Sequence, residues 1–131
     1  MKSIRKLLTL MLASLLLSSC VADEPSAKPA YRTVSMDEAI ALMKSESGYI
    51  ILDVRTPKEY AEGHIPGAIN VPNERIGADP ISELPDKGQL ILVYCRSGRR
   101  SKEASDKLVK LGYTNIVEFG GIQDYKGEIQ K

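Results

Sequence analysis

The chain has 131 residues, 43% hydrophobic and 27% charged, a length for one domain and a balance that excludes a disordered or fibrous chain. Its 18 basic and 17 acidic side chains give a formal net charge of +1, which argues against a general nucleic-acid binder. Two cysteines and one histidine, far apart in sequence, supply neither a multi-disulfide scaffold nor the four ligands of a structural zinc site.

Residues 1–19 read as an address rather than as fold. Lys2, Arg5 and Lys6 form a positive start, and Leu7 to Leu17 form an apolar run broken by Thr9 and Ser14. At ~1.5 Å per residue that run covers about 16 Å, roughly half of the ~30 Å hydrocarbon core. It is therefore too short to span and has the shape of a signal-peptide core. Leu17-Ser18-Ser19-Cys20 follows directly. Small residues ahead of a cysteine resemble the lipobox of bacterial lipoproteins, which implies cleavage before Cys20 and acylation of that cysteine; the alternative is a secretory signal with an incidental cysteine. Acyl chains anchor by burying CH₂ groups, each contributing ~0.8 kcal/mol. The expected location is extracytoplasmic, lipid-anchored to a bacterial membrane at the periplasmic face or the cell surface. Removing Lys2, Arg5 and Lys6 from the 18 basic residues leaves 15 against 17 acidic ones, a mildly acidic mature chain. Cys95 is then its free thiol, and an unpaired cysteine in an oxidising compartment is one to suspect of reactivity.

Residues 20–30 are polar and proline-punctuated and read as the lipidated cysteine and a tether; the domain is expected over 31–131. Arg32 to Val34 is a short strand. Ser35-Met36-Asp37-Glu38 is a capping box that opens a helix with Ala39, Ile40 and Met43 on its apolar face, ending near Gly48. Tyr49 to Val54 is a continuous apolar run, the pattern of a strand buried on both faces. Pro57 to Ala61 is a short helix stopped by Gly63. Gly67 to Val71 is a third strand and Gln89 to Tyr94 a fourth. Ser101 to Leu111 is a helix with Ala104, Leu108 and Leu111 on one face and Gly112 as its stop. Asn115 to Phe119 is a fifth strand, followed by Gly120-Gly121 and a last short helix from Ile122. Apolar strands alternating with helices predict an α/β fold with a mostly parallel sheet. Ligands in such folds collect at the carboxyl ends of strands, which singles out Asp53 to Arg55 and the segment from Cys95 onward.

Tyr94-Cys95-Arg96-Ser97-Gly98-Arg99-Arg100-Ser101 is the segment that carries chemistry. A buried strand ends, a tight loop turns and a helix begins. The amides of residues 96 to 100 can curl around the Cys95 sulfur as an anion-binding concavity, with the positive end of the helix aimed at the same point. Gly98 permits a backbone conformation that a Cβ resists. Arg96, Arg99, Arg100 and Lys102 surround the loop with cationic charge. Such a setting lowers a thiol from ~8.5 into the range ~3.5–7.5, and a drop of about two units requires about 2.7 kcal/mol of differential stabilisation. The bland alternative is an inert buried cysteine beside solvated arginines. A thioredoxin-type redox motif needs a second cysteine where Gly98 stands. A cysteine-dependent phosphatase needs an arginine where Ser101 stands. The loop from Cys95 to Arg100 is one residue short for a tetrahedral phosphate and suits one extra sulfur on Sγ.

The chain at this point resembles the single-domain rhodanese (sulfurtransferase) family. The resemblance rests on Leu52-Asp53-Val54-Arg55, on the run from Glu59 through His64 to Pro72, on Cys95 to Ser101, and on Gly120-Gly121-Ile122. It implies a three-layer domain whose five-stranded sheet carries helices on both faces. It also implies that Cys95 takes the outer sulfur of thiosulfate or a similar donor as a persulfide, and that a thiol or cyanide then removes it. The substrate-binding residues it implies are Arg96, Ser97, Gly98, Arg99, Arg100 and Ser101, with Asp53 and Arg55 supporting the loop. The family often has a tryptophan near Tyr125. His64, set in Gly63-His64-Ile65-Pro66-Gly67, is expected to hydrogen-bond a turn rather than act as a base. The expected partners are a small anionic sulfur donor, a thiol acceptor (a small molecule or a thioredoxin-like protein) and, through the lipid, a membrane. No nucleic acid, metal or cofactor is called for, and the domain is expected to be a monomer. A rhodanese-like module that senses a persulfide or anion, or binds a partner, is the rival reading, and a phosphatase is the third.

Overall fold

The computed structural model describes residues 30–77 and 79–131. The segments expected as a signal peptide, as the lipidated Cys20 and, up to residue 29, as a tether lie outside the described residues.

The elements follow in the order β1 (Arg32–Thr33), α1 (Met36–Ser45), β2 (Ile50–Asp53), α2 (Pro57–Glu62), β3 (Ile69–Asn70), β4 (Ile91–Cys95), α3 (Arg99–Lys110) and β5 (Ile116–Gly121). Short 3₁₀ turns occupy Asn73–Arg75 and Ile122–Asp124. The five strands form one sheet in the order β1-β5-β4-β2-β3, and every pairing is parallel.

Both caps at the start of helices are chemical. Ser35 Oγ accepts from the Glu38 amide at 3.1 Å while the Glu38 carboxylate accepts from the Ser35 amide at 2.8 Å. Thr56 and Glu59 repeat the same box ahead of α2, with Pro57 in its first turn, where a missing N–H costs nothing. Each satisfies amides that the helix leaves without partners.

The sheet carries helices on both faces, and side-chain alternation along β4 shows why. Ile91, Val93 and Cys95 pack with Ala104 and Leu108 of α3 on one face. Leu92 and Tyr94 pack on the other with Ala39 of α1, Ile65 and Phe119. Every residue of β4 is buried, as its unbroken apolar run requires. Each fully buried apolar side chain contributes ~1.5–3 kcal/mol, so β4 anchors both cores.

Three of the boundaries that differ from those expected shape the site. α3 begins at Arg99, two residues before Ser101, because Gly98 at φ 114° turns the chain straight into the helix without a side-chain cap. β3 is only Ile69–Asn70; beyond it the Asn70 amide group donates to the carbonyls of Asp53 and Arg55 at 3.0 and 2.9 Å. β5 runs on to Gly121 through a bulge: Val93 pairs with Glu118, but Cys95 pairs with Gly121. Gly120, at φ 88°, takes up the extra residue.

The strand order places the reversal of direction between β2 and β4. From β2 the chain moves outward to β3, and from β4 it moves the other way to β5. The crevice at that switch point is where ligands bind in parallel sheets, and the two strands ending there deliver Asp53 to Arg55 and Cys95 to Gly98 side by side.

Gly121 ties the fold to that crevice, because a Cβ there would overlap the Arg96 carbonyl. Replacing Gly121 with alanine therefore pushes the Cys95 loop outward. The expected results are a loss of about 1–3 kcal/mol in urea unfolding and slower alkylation of Cys95.

Candidate active site

Cys95 closes β4 with its side chain 1% exposed. The chain then folds back over the sulfur within three residues. Gly98 N–H donates to Sγ at 3.0 Å, and the Ser101 hydroxyl lies 3.5 Å from it. The backbone amides of Ser97 and Ser101 add to the support of the sulfur's anion. Burial pushes the Cys95 thiol up, but the Ser101 hydroxyl and the amides of Ser101, Gly98 and Ser97 outweigh it and leave the thiol below its ordinary value. The first turn of α3 adds the positive end of its dipole to this cradle. A buried sulfur held by neutral donors, with no second cysteine among the described residues, sits in a setting that favours its anion.

The loop residues divide between lining and support. Ser97 is exposed and Gly98 buried. Ser101 is fully buried beneath the loop; its hydroxyl faces Glu118 Oε1 at 2.7 Å and the carbonyls of Gly98 and Gly120 at 2.9 and 3.3 Å. The cations do not form one cluster. Arg100 donates through both terminal nitrogens to the Glu59 carboxylate, at 2.7 and 3.0 Å. Arg99 is 84% exposed and stands 3.9 Å from Glu103 on the outer face of α3. Arg96 lines a cavity of about 410 Å³ with Arg55, Glu59 and Gln123. Lys102 instead lines a cavity of about 850 Å³ on the side of Ser97 and Gly98, with Phe119, Gly120 and Tyr125. Tyr125 thus supplies an aromatic wall at the place where the family often has a tryptophan.

Asp53 and Arg55 form a buried pair at the neighbouring strand end. Arg55 Nη2 meets Asp53 Oδ2 at 2.6 Å and the Gly63 carbonyl at 2.7 Å. The Tyr94 hydroxyl donates to Asp53 Oδ2 at 2.7 Å and accepts from the Ile65 amide at 3.1 Å. Burial and the Asp53 carboxylate push the Tyr94 phenol up, so it stays a donor. The residue immediately before Cys95 is thereby fastened to the pair. His64 is engaged in the fold: its Nδ1 lies 2.9 Å from the Tyr60 carbonyl, its ring stacks on Tyr60 at 3.8 Å, and its backbone pairs with Gln130.

Sequence reasoning left three partners without a role. The first is Glu59, whose spacing from Thr56 marks a second capping box. The second is Tyr94, which reads as one more apolar residue of β4. The third is Glu118, the lone charge in the run Ile116-Val117-Glu118-Phe119; a charge in a strand of that kind signals a buried partner.

A parallel sheet with an amide-lined cysteine loop at its switch point defines the rhodanese class of α/β domain. The chain belongs to that family: the model of the rhodanese-like domain matches residues 35–128. It is 38% identical over 73 residues to the thiosulfate sulfurtransferase PspE of Escherichia coli (strain K12), covering 56% of this chain and 70% of that one. It is 35% identical over 108 residues to thiosulfate sulfurtransferase 18 of Arabidopsis thaliana, covering 73% of this chain and 79% of that one. Among solved structures, one described as a rhodanese with anions from E. coli superposes with a TM-score of 0.58 at 35% identity, covering 63% of this chain and 98% of that one.

Two tests follow from the ion pairs. Arg55→Leu leaves Asp53 buried beside Tyr94 without its countercharge, and unfolding by urea is expected to show a loss of about 3–5 kcal/mol. Arg100 and the Thr56 donors, acting against burial, lower the Glu59 carboxyl from 4.5 to about 2. A depressed carboxyl stabilises the fold above its ordinary value, and that stabilisation is lost as pH falls through the folded value. The melting temperature of wild type should exceed that of Glu59→Gln above pH 4.5, with the gap closing as pH falls toward about 2.

Proposed function

We propose that this protein is a thiosulfate sulfurtransferase that carries the sulfane sulfur on Cys95 as a persulfide. The observation that carries the reading is the Cys95 cradle, in which the Gly98 N–H donates to Sγ at 3.0 Å and the Ser101 hydroxyl lies 3.5 Å from it. Relatives named thiosulfate sulfurtransferases, in bacteria and plants, support it.

The Cys95 thiolate attacks the outer sulfur of thiosulfate. The S–S bond of the donor breaks and its electron pair leaves with sulfite. The new persulfide anion takes over the hydrogen bonds that held the thiolate. A thiol acceptor, as its thiolate, or cyanide then attacks the outer sulfur and releases Cys95 as a thiolate. Arg96 and Arg55, which line one cavity, attract the anionic donor, while Arg100 holds the loop through Glu59. Arg99, exposed beside the loop, adds to the field that draws anions in. Asp53 with Arg55 braces the strand end, and Ser101 braces the loop from below.

The same reading places the mature protein outside the cytoplasm as a monomer, held by lipid on Cys20, with residues 20–30 as the tether. The lipobox-like Leu17-Ser18-Ser19-Cys20 supports that placement.

Intact mass spectrometry of the purified protein treated with thiosulfate tests the reaction. The expected result is a gain of one sulfur that cyanide reverses and that Cys95→Ala lacks. Folded protein with a reduced Cys95 and no mass gain would exclude thiosulfate as donor and favour a sensing or partner-binding module.

A further inference from the structure

Glu118 is the one charged side chain of β5, and it is completely buried. Its Oε1 accepts from the Ser101 hydroxyl at 2.7 Å and from the Gly120 amide at 2.8 Å. Its Oε2 has no hydrogen-bond partner among the described residues. Ser101 Oγ lies 3.5 Å from Cys95 Sγ, so Sγ, Oγ and Oε1 form a continuous chain of atoms that can pass a proton. Nothing in the sulfur-transfer steps above uses the carboxylate. As mere packing it is a poor choice, because a buried carboxylate with a bare oxygen costs stability that an apolar side chain would not.

Among the described residues, Glu118 is the carboxylate that a single hydroxyl joins to Cys95. Ser101 Oγ also faces the carbonyls of Gly98 and Gly120, which hold the hydroxyl in place but are not bases. The charged groups that share a cavity with Glu118 are Asp37 and Lys44 of α1, Lys102 of α3, and Asp124 and Lys126 after β5. All five are exposed and screened by water. Tyr31, ahead of β1, is close enough for Glu118 and Asp106 to add to the burial that pushes its phenol up. A Cys95 thiolate and a Glu118 carboxylate, both withdrawn from water and joined by a single hydroxyl, are two like charges in one site. Such pairs share a proton.

We propose that Glu118 takes and returns the Cys95 proton through the Ser101 hydroxyl. At rest Sγ–H donates to Ser101 Oγ, and Ser101 Oγ–H donates to the carboxylate. On ionisation the thiol proton moves to Oγ, the Ser101 proton moves to Oε1, and both hydrogen bonds reverse. The thiolate then accepts from Ser101, and Ser101 accepts from a neutral Glu118. During transfer Sγ bonds to the outer sulfur of the donor, and sulfite departs with the electron pair of the broken S–S bond. The persulfide anion is left beside a carboxylic acid. When the acceptor removes the sulfur, the Cys95 thiolate takes its proton back. The pair carries one negative charge throughout, so the buried site never holds two. Glu118 acts through Ser101 and touches no reacting atom; it is a positioning residue that stores a proton.

The proton step is testable without any sulfur donor, by the rate of Cys95 alkylation with iodoacetamide as pH is varied. A pair sharing one proton gives two steps with a plateau between them, over which the rate changes by less than about twofold across about two pH units. Glu118→Gln keeps an acceptor for Ser101 and Gly120 but cannot take a proton, so its profile should be one step, rising about tenfold per unit below its midpoint. Ser101→Ala, which removes the hydroxyl joining the two groups and leaves Glu118 in place, should narrow the plateau. A one-step wild-type profile would overturn the proposal and make Glu118 a buttress for the loop.

The transfer stage rests on the sulfur-transfer reading, and infrared difference spectra separate the two. Persulfide formation, followed by mass, should bring up the C=O stretch of a protonated carboxyl group that Glu118→Gln and Cys95→Ala lack. A persulfide without that band overturns the proton store and leaves sulfur transfer standing. No persulfide with thiosulfate counts against the sulfur-transfer reading, while the alkylation profiles still decide the proton step.

Discussion

A sulfur anion at the end of a strand buried on both faces must be matched by donors within a few ångströms, because water does not reach it. That constraint organises this domain. β4 ends at Cys95 between two apolar layers, and the chain must leave the sheet, cover the sulfur with amides and enter a helix with hardly any intervening residues. Gly98 makes the turn possible in a left-handed conformation. The same residue donates the 3.0 Å hydrogen bond to Sγ. The first turn of α3 supplies the Ser101 amide and hydroxyl. The bulge in β5 then brings Gly121 against the loop backbone where no side chain fits. Loop, helix start and neighbouring strand are thus cut to one shape by the sulfur they surround.

Two ion pairs hold that shape from outside, and they differ in kind. Asp53–Arg55 is buried, with side chains 0% and 7% exposed. Its desolvation cost makes it a weak source of net stability, yet it is hard to break. Its value lies in geometry: it gathers the end of β2, the Gly63 carbonyl and the Tyr94 hydroxyl at one point, and so fixes the residue before Cys95. Glu59–Arg100 is half-buried and joins the cap of α2 to the first turn of α3. Glu59 serves both elements with one carboxylate. Helices on opposite faces of the sheet are therefore coupled across the crevice where the two strands end.

The order of elements was legible in the sequence because it follows from periodicity and capping. Continuous apolar runs gave β2 and β4, and Ser35 with Glu38 gave the start of α1. Gly63 gave the end of α2. What was hidden depends on contacts distant in sequence. The early start of α3 needs the φ of Gly98 and not an apolar stripe. The extension of β5 needs a bulge, which a pair of glycines suggests but does not fix. The loop Cys95 to Ser101 could be read as a cradle from its residue types. The pairing of Arg100 with Glu59, and of Ser101 with Glu118, is set by how β5, α2 and α3 pack, and a run of four cations along the sequence gave no hint that they face different ways.

That dispersal of the arginines changes where the thiolate finds its support. The main groups that favour the Cys95 anion are the Ser101 hydroxyl and three amides, all neutral, with the Arg100 cation adding a smaller coulombic share. Arg100 is spent on Glu59 and Arg99 stands in solvent beside Glu103. Fixed dipoles have an advantage over a mobile countercharge when an anion must move. On the proposed sulfur-transfer reading, passing from thiolate to persulfide shifts the negative charge outward by one sulfur, and fixed neutral donors follow that shift without rearranging. A salt bridge to the thiolate would favour the starting state and resist the transfer. On that reading a largely neutral cradle suits a sulfur held in two positions in turn, and it leaves Arg96 free to act at the entrance, where an anionic donor would carry its charge.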